Sequence, residues 1–158
     1  MNSLRAGRNA GFTSARSVSI ARAAGQYTYG AWTGGLGYSR TEYTPDGASL
    51  FTSSARFNSG SVFMNYQANP ALRLGVGYHY TWLSGADAAH YNQVNAGADY
   101  LVSKRTDIYA IAAFQRASGS TLNAAGESVA AQAVIGDYGL NSGSNTQTLV
   151  SVGVRHRF

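Results

Sequence analysis

The sequence predicts an all-β fold: an antiparallel sheet whose strands cross a membrane as part of a barrel. Three observations predict it. Apolar and polar residues alternate at period two through much of the chain, short and long connections follow one another in turn, and charge is scarce. Of 158 residues only 12% are charged, whereas Gly (19) and Tyr (11) are abundant. A soluble domain usually carries about twice that share of charge. No run approaches the roughly 18 apolar residues of a membrane helix. A membrane strand needs only about 9 to 11 alternating residues, which an average hydropathy does not register.

Taken in chain order, "SIARAAGQYTY" is a weak first strand with Arg22 and Gln26 on its polar face. A short turn at Gly30-Ala31 leads to "WTGGLGYS", where Trp32, Leu36 and Tyr38 oppose Thr33, Gly35, Gly37 and Ser39. A polar loop over about 44–56 precedes "SVFMNYQA", with Val62, Met64 and Tyr66 on one face and Ser61, Phe63, Asn65 and Gln67 on the other. After Asn69-Pro70 comes the clearest strand, "ALRLGVGYHYTWLSG": Leu72, Leu74, Val76, Tyr78, Tyr80 and Trp82 oppose Arg73, Gly75, Gly77, His79 and Thr81. Such alternation is what a sheet with one apolar face requires.

A second long loop, 84–90, leads to "NQVNAGADYLV", where Val94, Ala96, Ala98, Tyr100 and Val102 oppose Gln93, Asn95, Gly97, Asp99 and Leu101. The turn at Lys104-Arg105 opens "DIYAIAAFQ", whose pattern Tyr109 and Ile111 blur. A long loop over 117–145 ends in the last strand, with Val150, Val152, Val154, His156 and Phe158 facing away from Ser151, Gly153, Arg155 and Arg157. Seven strands over 18–158 are thus expected, with 1–17 an extracellular loop remnant or a disordered N-terminus.

Low charge follows from the same picture. An outward Arg or Lys costs roughly 2 to 4 kcal/mol at the bilayer centre, so charge belongs on the inner face, turns and loops. Tyr27, Tyr29, Trp32, Tyr38, Tyr66, Tyr78, Tyr80, Trp82 and Tyr100 lie toward strand ends, where an amphipathic ring suits the membrane interface. The inner face then carries Arg22, Arg73, His79, Arg155 and Arg157 with Asp99 and Asp107, a basic wall that favours anions.

Other classes find little support. The three His residues have no metal spacing, no nucleophile elbow or H-E-x-x-H occurs, and no Gly-rich stretch precedes a helix. No enzyme activity, metal or cofactor is expected. Without Cys there is no disulfide or thiolate site. The opening "MNSLRAGRNAGFTSARS" lacks an apolar stretch, so no signal peptide is read there. The formal charge of +5 raises nucleic acid as a partner, but the Arg residues are dispersed and form no run, so none is expected.

"QVNAGADYLVSKRTDIYAIAAFQRASG", the Pro turn and strand "PALRLGVGYHYTW" and the ending "SVGVRHRF" resemble the last strands of Gram-negative general porins. These are trimeric sixteen-stranded barrels of the Burkholderia, Bordetella and Neisseria type. The resemblance covers about 18–158 and is strongest over 70–118 and the last strand. It implies an outer-membrane pore for passive diffusion of ions and small hydrophilic solutes, embedded in outer-membrane lipid and associated as a homotrimer. It also implies that Val150, Val152, Val154, His156 and Phe158 form the signal read by the outer-membrane assembly machinery. A sixteen-stranded barrel needs roughly twice this length at about 20 residues per strand and connection, and only barrels of that size hold an aqueous channel. The chain is therefore expected to be the C-terminal part of such a porin, with the inward constriction loop on the missing part and loop 117–145 extracellular. The alternative is a barrel without a transport role, such as an autotransporter translocator or an adhesive or structural barrel.

Overall fold

A computed structural model describes residues 14–85, 87–136 and 142–158. Most of the segment read as a loop remnant therefore lies outside the described residues, as does the tip of the last long loop. The described chain is β-structure without helix: β1 (Ser17–Tyr29), β2 (Trp32–Thr44), β3 (Ala55–Asn69), β4 (Leu72–Ser84), β5 (Ala89–Leu101), β6 (Thr106–Leu122), β7 (Ser128–Ala130) and β8 (Thr146–His156). Each strand pairs antiparallel with the next through β6, and β8 returns beside β6. The short β7 pairs with the same edge of β6, farther along, at Ser120 to Leu122. Among the described residues β1 pairs only with β2 and β8 only with β6, so the sheet is open at both ends.

The register decides which residues share a face, because residues directly opposite one another point the same way. Leu72, Leu74, Val76 and Tyr78 stand opposite Tyr100, Ala98, Ala96 and Val94, and these in turn stand opposite Ile108, Ala110, Ala112 and Phe114. The row continues to Val154, Val152, Val150 and Thr148 on β8. On the other side it passes through Tyr66, Met64 and Val62 to Trp32, Gly34 and Leu36. Six strands therefore combine their apolar residues into one continuous surface that no other part of the described chain covers, and Leu36, Val62, Val76, Val94, Val150 and Val152 are all exposed. In water such an area would favour aggregation; in lipid it is the expected exterior.

The buried cluster lies on the opposite face, near the long-loop end. Phe57, Leu83, Ala89, Tyr91 and Ala117 project there from four strands, Leu122 joins them from the far end of β6, and Phe51, Ala131 and Ala133 pack on them from the loops. Tyr43 meets Phe57 edge-on at 5.9 Å between ring centroids. The loops thus fold onto the sheet's inner side.

Three expectations change. The connection after β4 is only residues 85–88, because β4 and β5 extend their pairing to Leu83 opposite Ala89. Loop 117–145 is shortened by the extension of β6 to Leu122, holds β7, and turns inward at Ala131 and Ala133 instead of standing wholly outside. The last strand stops at His156, and the Arg157 amide bonds the Arg105 carbonyl just past it.

Candidate functional site

Charge in the middle and at the turn end of the sheet lies on the face opposite the apolar surface, while Arg40, Glu42, Arg56 and Arg116 share the apolar face's parity, level with or beyond its loop-side aromatics. Parity places Arg22, Arg73, His79, Asp99, Asp107 and Arg155 on that opposite face, each an odd number of residues from its strand's apolar series. Arg157 continues that parity beyond the end of β8. A hollow of about 1020 Å³ opens on this face, with Asn65, Arg73, His79, Asn95, Asp99 and Arg155 around it.

The turn end of the hollow holds an ion cluster. Register sets Asp107 opposite Arg155 and Arg73 opposite Asp99. Arg155 Nε and Nη2 donate to Asp107 Oδ2 at 2.9 and 2.7 Å, and Nη2 also reaches Asp99 Oδ2 at 3.3 Å. Asp107 is not an open lining charge as its parity alone suggests: its side chain is 4% exposed, against 51% for Arg155. Its Oδ1 is buried without a hydrogen-bond partner. Arg155 is thus held between two carboxylates, while Arg73 stands exposed beside them.

The remaining members are dispersed. His79 stands between Ser61 and Gln93 higher on the face and is exposed to the hollow. Arg22 lies on the free edge strand β1, opposite Ser39, and does not join the cluster.

Small and large residues alternate on this face so that side chains lie flat along the wall. The Tyr109 ring lies over Gly153, and the Phe63 ring over Gly35; a Cβ at either glycine would collide with the ring. This explains why Tyr109 blurred the alternation in β6: it is a polar-face residue covering a glycine on the neighbouring strand.

All nine aromatics read from sequence as interfacial lie on the apolar face by register. Near the short turns are Tyr27, Tyr29, Trp32, Tyr66 and Tyr100, with Trp32 and Tyr66 at 4.3 Å between centroids. Toward the loops are Tyr38, Tyr78, Tyr80 and Trp82, with Tyr80 stacked on Trp82 at 5.5 Å. The hydroxyls of Tyr38 and Tyr78 donate to Asn58 and Asn92 on neighbouring strands at 2.8 and 2.6 Å, and Tyr80 bonds His90 at 2.9 Å. Each ring is apolar toward the sheet centre and polar toward the loops, as an interfacial belt requires. Val150, Val152, Val154 and His156 share the apolar face of β8; His156 bonds Thr106 and meets the exposed Phe158 edge-on at 4.9 Å.

The loops are fastened by polar side chains. Asp87 accepts from Ser120 Oγ, from Ser128 Oγ at 2.9 Å and from the Ala88 amide at 3.1 Å, linking the β4–β5 connection to the β6–β7 ribbon. Partial burial alone would push its carboxyl pKa up, but these hydrogen bonds outweigh it and hold the group below its ordinary value. Asp46 is held low in the same way by the Ala48 amide, by Ser49 and by Ser14.

Missing from the sequence reading is a row of three glutamines. Gln93, Gln115 and Gln147 stand directly opposite one another on β5, β6 and β8. Each occupies a polar position of its strand, the only signal the sequence offers.

Residues 3–120 match the family described as Gram-negative porin. Three solved structures of OmpT, an outer membrane protein of Vibrio cholerae, share the fold. The outer-membrane expressed form has a TM-score of 0.66 at 17% identity, covering 88% of this chain and 41% of that one. The in-vitro folded protein gives 0.64 at 19%, with 88% and 40% covered, and its trimer form 0.64 at 19%, with 88% and 41% covered. The chain therefore spans less than half the length of the structures it matches. No curated protein sequence matches it.

Proposed function

Because the chain belongs to the Gram-negative porin family, we propose that it supplies seven membrane strands of an outer-membrane pore through which ions and small hydrophilic solutes diffuse passively, without catalysis. The observation that carries this reading is the two-sidedness of the sheet. One face is apolar and bounded by aromatics; the other is polar, charged and hollowed. Passive selection then depends on the width of the passage and the sign of its lining charge. Three arginines against two aspartates on this part of the wall favour anions, with Arg73 and Arg155 nearest the hollow.

The open edges support the view that these strands are part of a larger barrel. Neighbours alternate in direction, so β1 and β8 run the same way and cannot pair antiparallel with each other. An odd number of further strands is needed between them, and nine would complete sixteen. Two copies inserted in the same orientation would pair β8 with a parallel β1, and the inverted arrangement, which pairs β8 with β8 and β1 with β1, would put the long loops of the two copies on opposite sides of the membrane. The trimeric form of the similar OmpT structure supports a trimer of complete barrels. The apolar edge of β8, ending in His156 and Phe158, is the proposed surface for the assembly machinery, since it stays unpaired until closure.

The test is the current through the complete barrel in planar bilayers. Discrete conductance steps are expected. The packed loop-end cluster around Phe57 and Tyr91 favours a second reading, a closed barrel with no transport role; a folded, bilayer-inserted barrel without conductance would establish that reading instead.

A further inference from the structure

We infer that residues Ala131 to Ile135 are a fixed constriction of the pore, pinned to its wall by the three-glutamine row, and that Gln115 and Gln147 thereby set which solutes pass. The inference rests on the porin reading and adds the element that sizes the passage.

A loop backbone normally stays in water, because its N–H and C=O groups need partners. Here Ala131, Ala133, Val134 and Ile135 are all buried, with Ala133 fully so. The wall supplies the partners. The Val134 amide donates to Gln115 Oε1 at 2.6 Å and the Ile135 amide to Gln147 Oε1 at 2.6 Å. Gln115 is itself 1% exposed. Its Nε2 donates to Gln93 Oε1 at 2.8 Å, and Gln93 Nε2 donates to Asn95 Oδ1 at 2.8 Å. This chain of donors fixes the orientation of the amides, so that Gln115 turns its oxygen toward the loop. The outgoing limb is tied back by the Ala133 amide to the Ser144 carbonyl at 2.9 Å.

The position is what gives this packing a consequence. The glutamines project from the same face as the charged hollow, on three adjacent strands, so the segment they hold occupies cross-section inside the barrel. An alanine at 133 allows the backbone to lie close against the wall. Passage is then narrowed on the loop side of Arg73 and Asp99 by an uncharged segment, which limits solutes by size and leaves the choice of sign to the ion cluster below.

Two variants of the complete barrel test this: Gln115→Ala combined with Gln147→Ala, and Val134→Pro, which removes one loop donor and leaves every strand untouched. Each is made alone and with Ala133→Cys, the one thiol that these 158 residues then carry, with any Cys in the rest of the barrel replaced by Ser. Single-channel conductance is expected to rise in both. Labelling of the Ala133→Cys thiol by a water-soluble reagent is expected to quicken by about 30-fold in the double variant, the population change carried by two hydrogen bonds of ordinary strength. If conductance stays at the parent value in both variants, the constriction is overturned, whether or not labelling quickens. If the parent itself inserts and never conducts while labelling quickens as expected, the segment is docked and the porin reading is what fails.

Discussion

Ala112 and Ile111 are neighbours on β6 at one depth and on opposite faces, which makes them a matched test of the sheet's orientation. Ala112 stands between Ala96 and Val150 on the apolar face, and Ile111 borders the hollow. Four residues separate Ala112 from Ile108, which lies opposite the girdle residue Tyr100. At about 3.4 Å per residue and a tilt near 40°, Ala112 is roughly 10 Å from that interface, close to the middle of an apolar band about 25 Å tall. Ala112→Arg therefore places a cation near mid-bilayer at a cost of about 2 to 4 kcal/mol. Ile111→Arg loses only the contacts of a side chain already 44% exposed, a cost of about 1 kcal/mol. Urea unfolding of the complete barrel in lipid vesicles measures both. Equal losses, or a larger loss for Ile111→Arg, would refute the assignment of faces.

Further outcomes follow from the same geometry. Arg155→Ala leaves the buried Asp107 carboxylate without its cation, so the urea midpoint should fall, and adding Asp107→Asn should restore part of it; a double variant no more stable than the single one would contradict the pairing. Trp32→Ala and Tyr66→Ala, alone and together, should show a coupling of about 1 kcal/mol in a double-mutant cycle, as expected for aromatic rings in close contact. Because the hydrogen bonds to Asp87 lower its folded-state pKa, their stabilisation is present above the ordinary carboxylate value and fades as pH falls through the folded one. Protease sensitivity of the β6–β7 ribbon should thus be flat from pH 7 to 5 and rise only under more acidic conditions, and Asp87→Asn should remove that dependence.

The legible parts of the fold were those carried by local alternation. β4 shows six apolar residues at period two, and β5 and β8 repeat the pattern, so their faces could be assigned from sequence. The common face of the nine aromatics was legible for the same reason. β7 was not, since three residues hold their place only through β6 and Asp87. The loop-side ends of β2, β3 and β5 were also hidden, because Tyr43, Phe57 and Tyr91 put large apolar groups on the polar face where the loops cover it. In the candidate site, alternation placed Arg73, Asp99 and Arg155 on one face, but only the register shows that Arg155 is shared and that Asp107 is buried. The glutamine row was least legible: its members are far apart in sequence and meet only when β8 returns to β6.

The most direct test of the account is an alternation experiment on β5, to which this Cys-free chain contributes no competing thiol. Single cysteines are placed at Asn95, Ala96, Gly97, Ala98 and Asp99 of the complete barrel, and a charged, water-soluble thiol reagent is added while current is recorded in a planar bilayer. The account predicts that current changes on modification at Asn95, Gly97 and Asp99 and stays constant at Ala96 and Ala98. Current that changes at the two alanines instead, or at none of the five positions, would contradict a water-filled passage along this face.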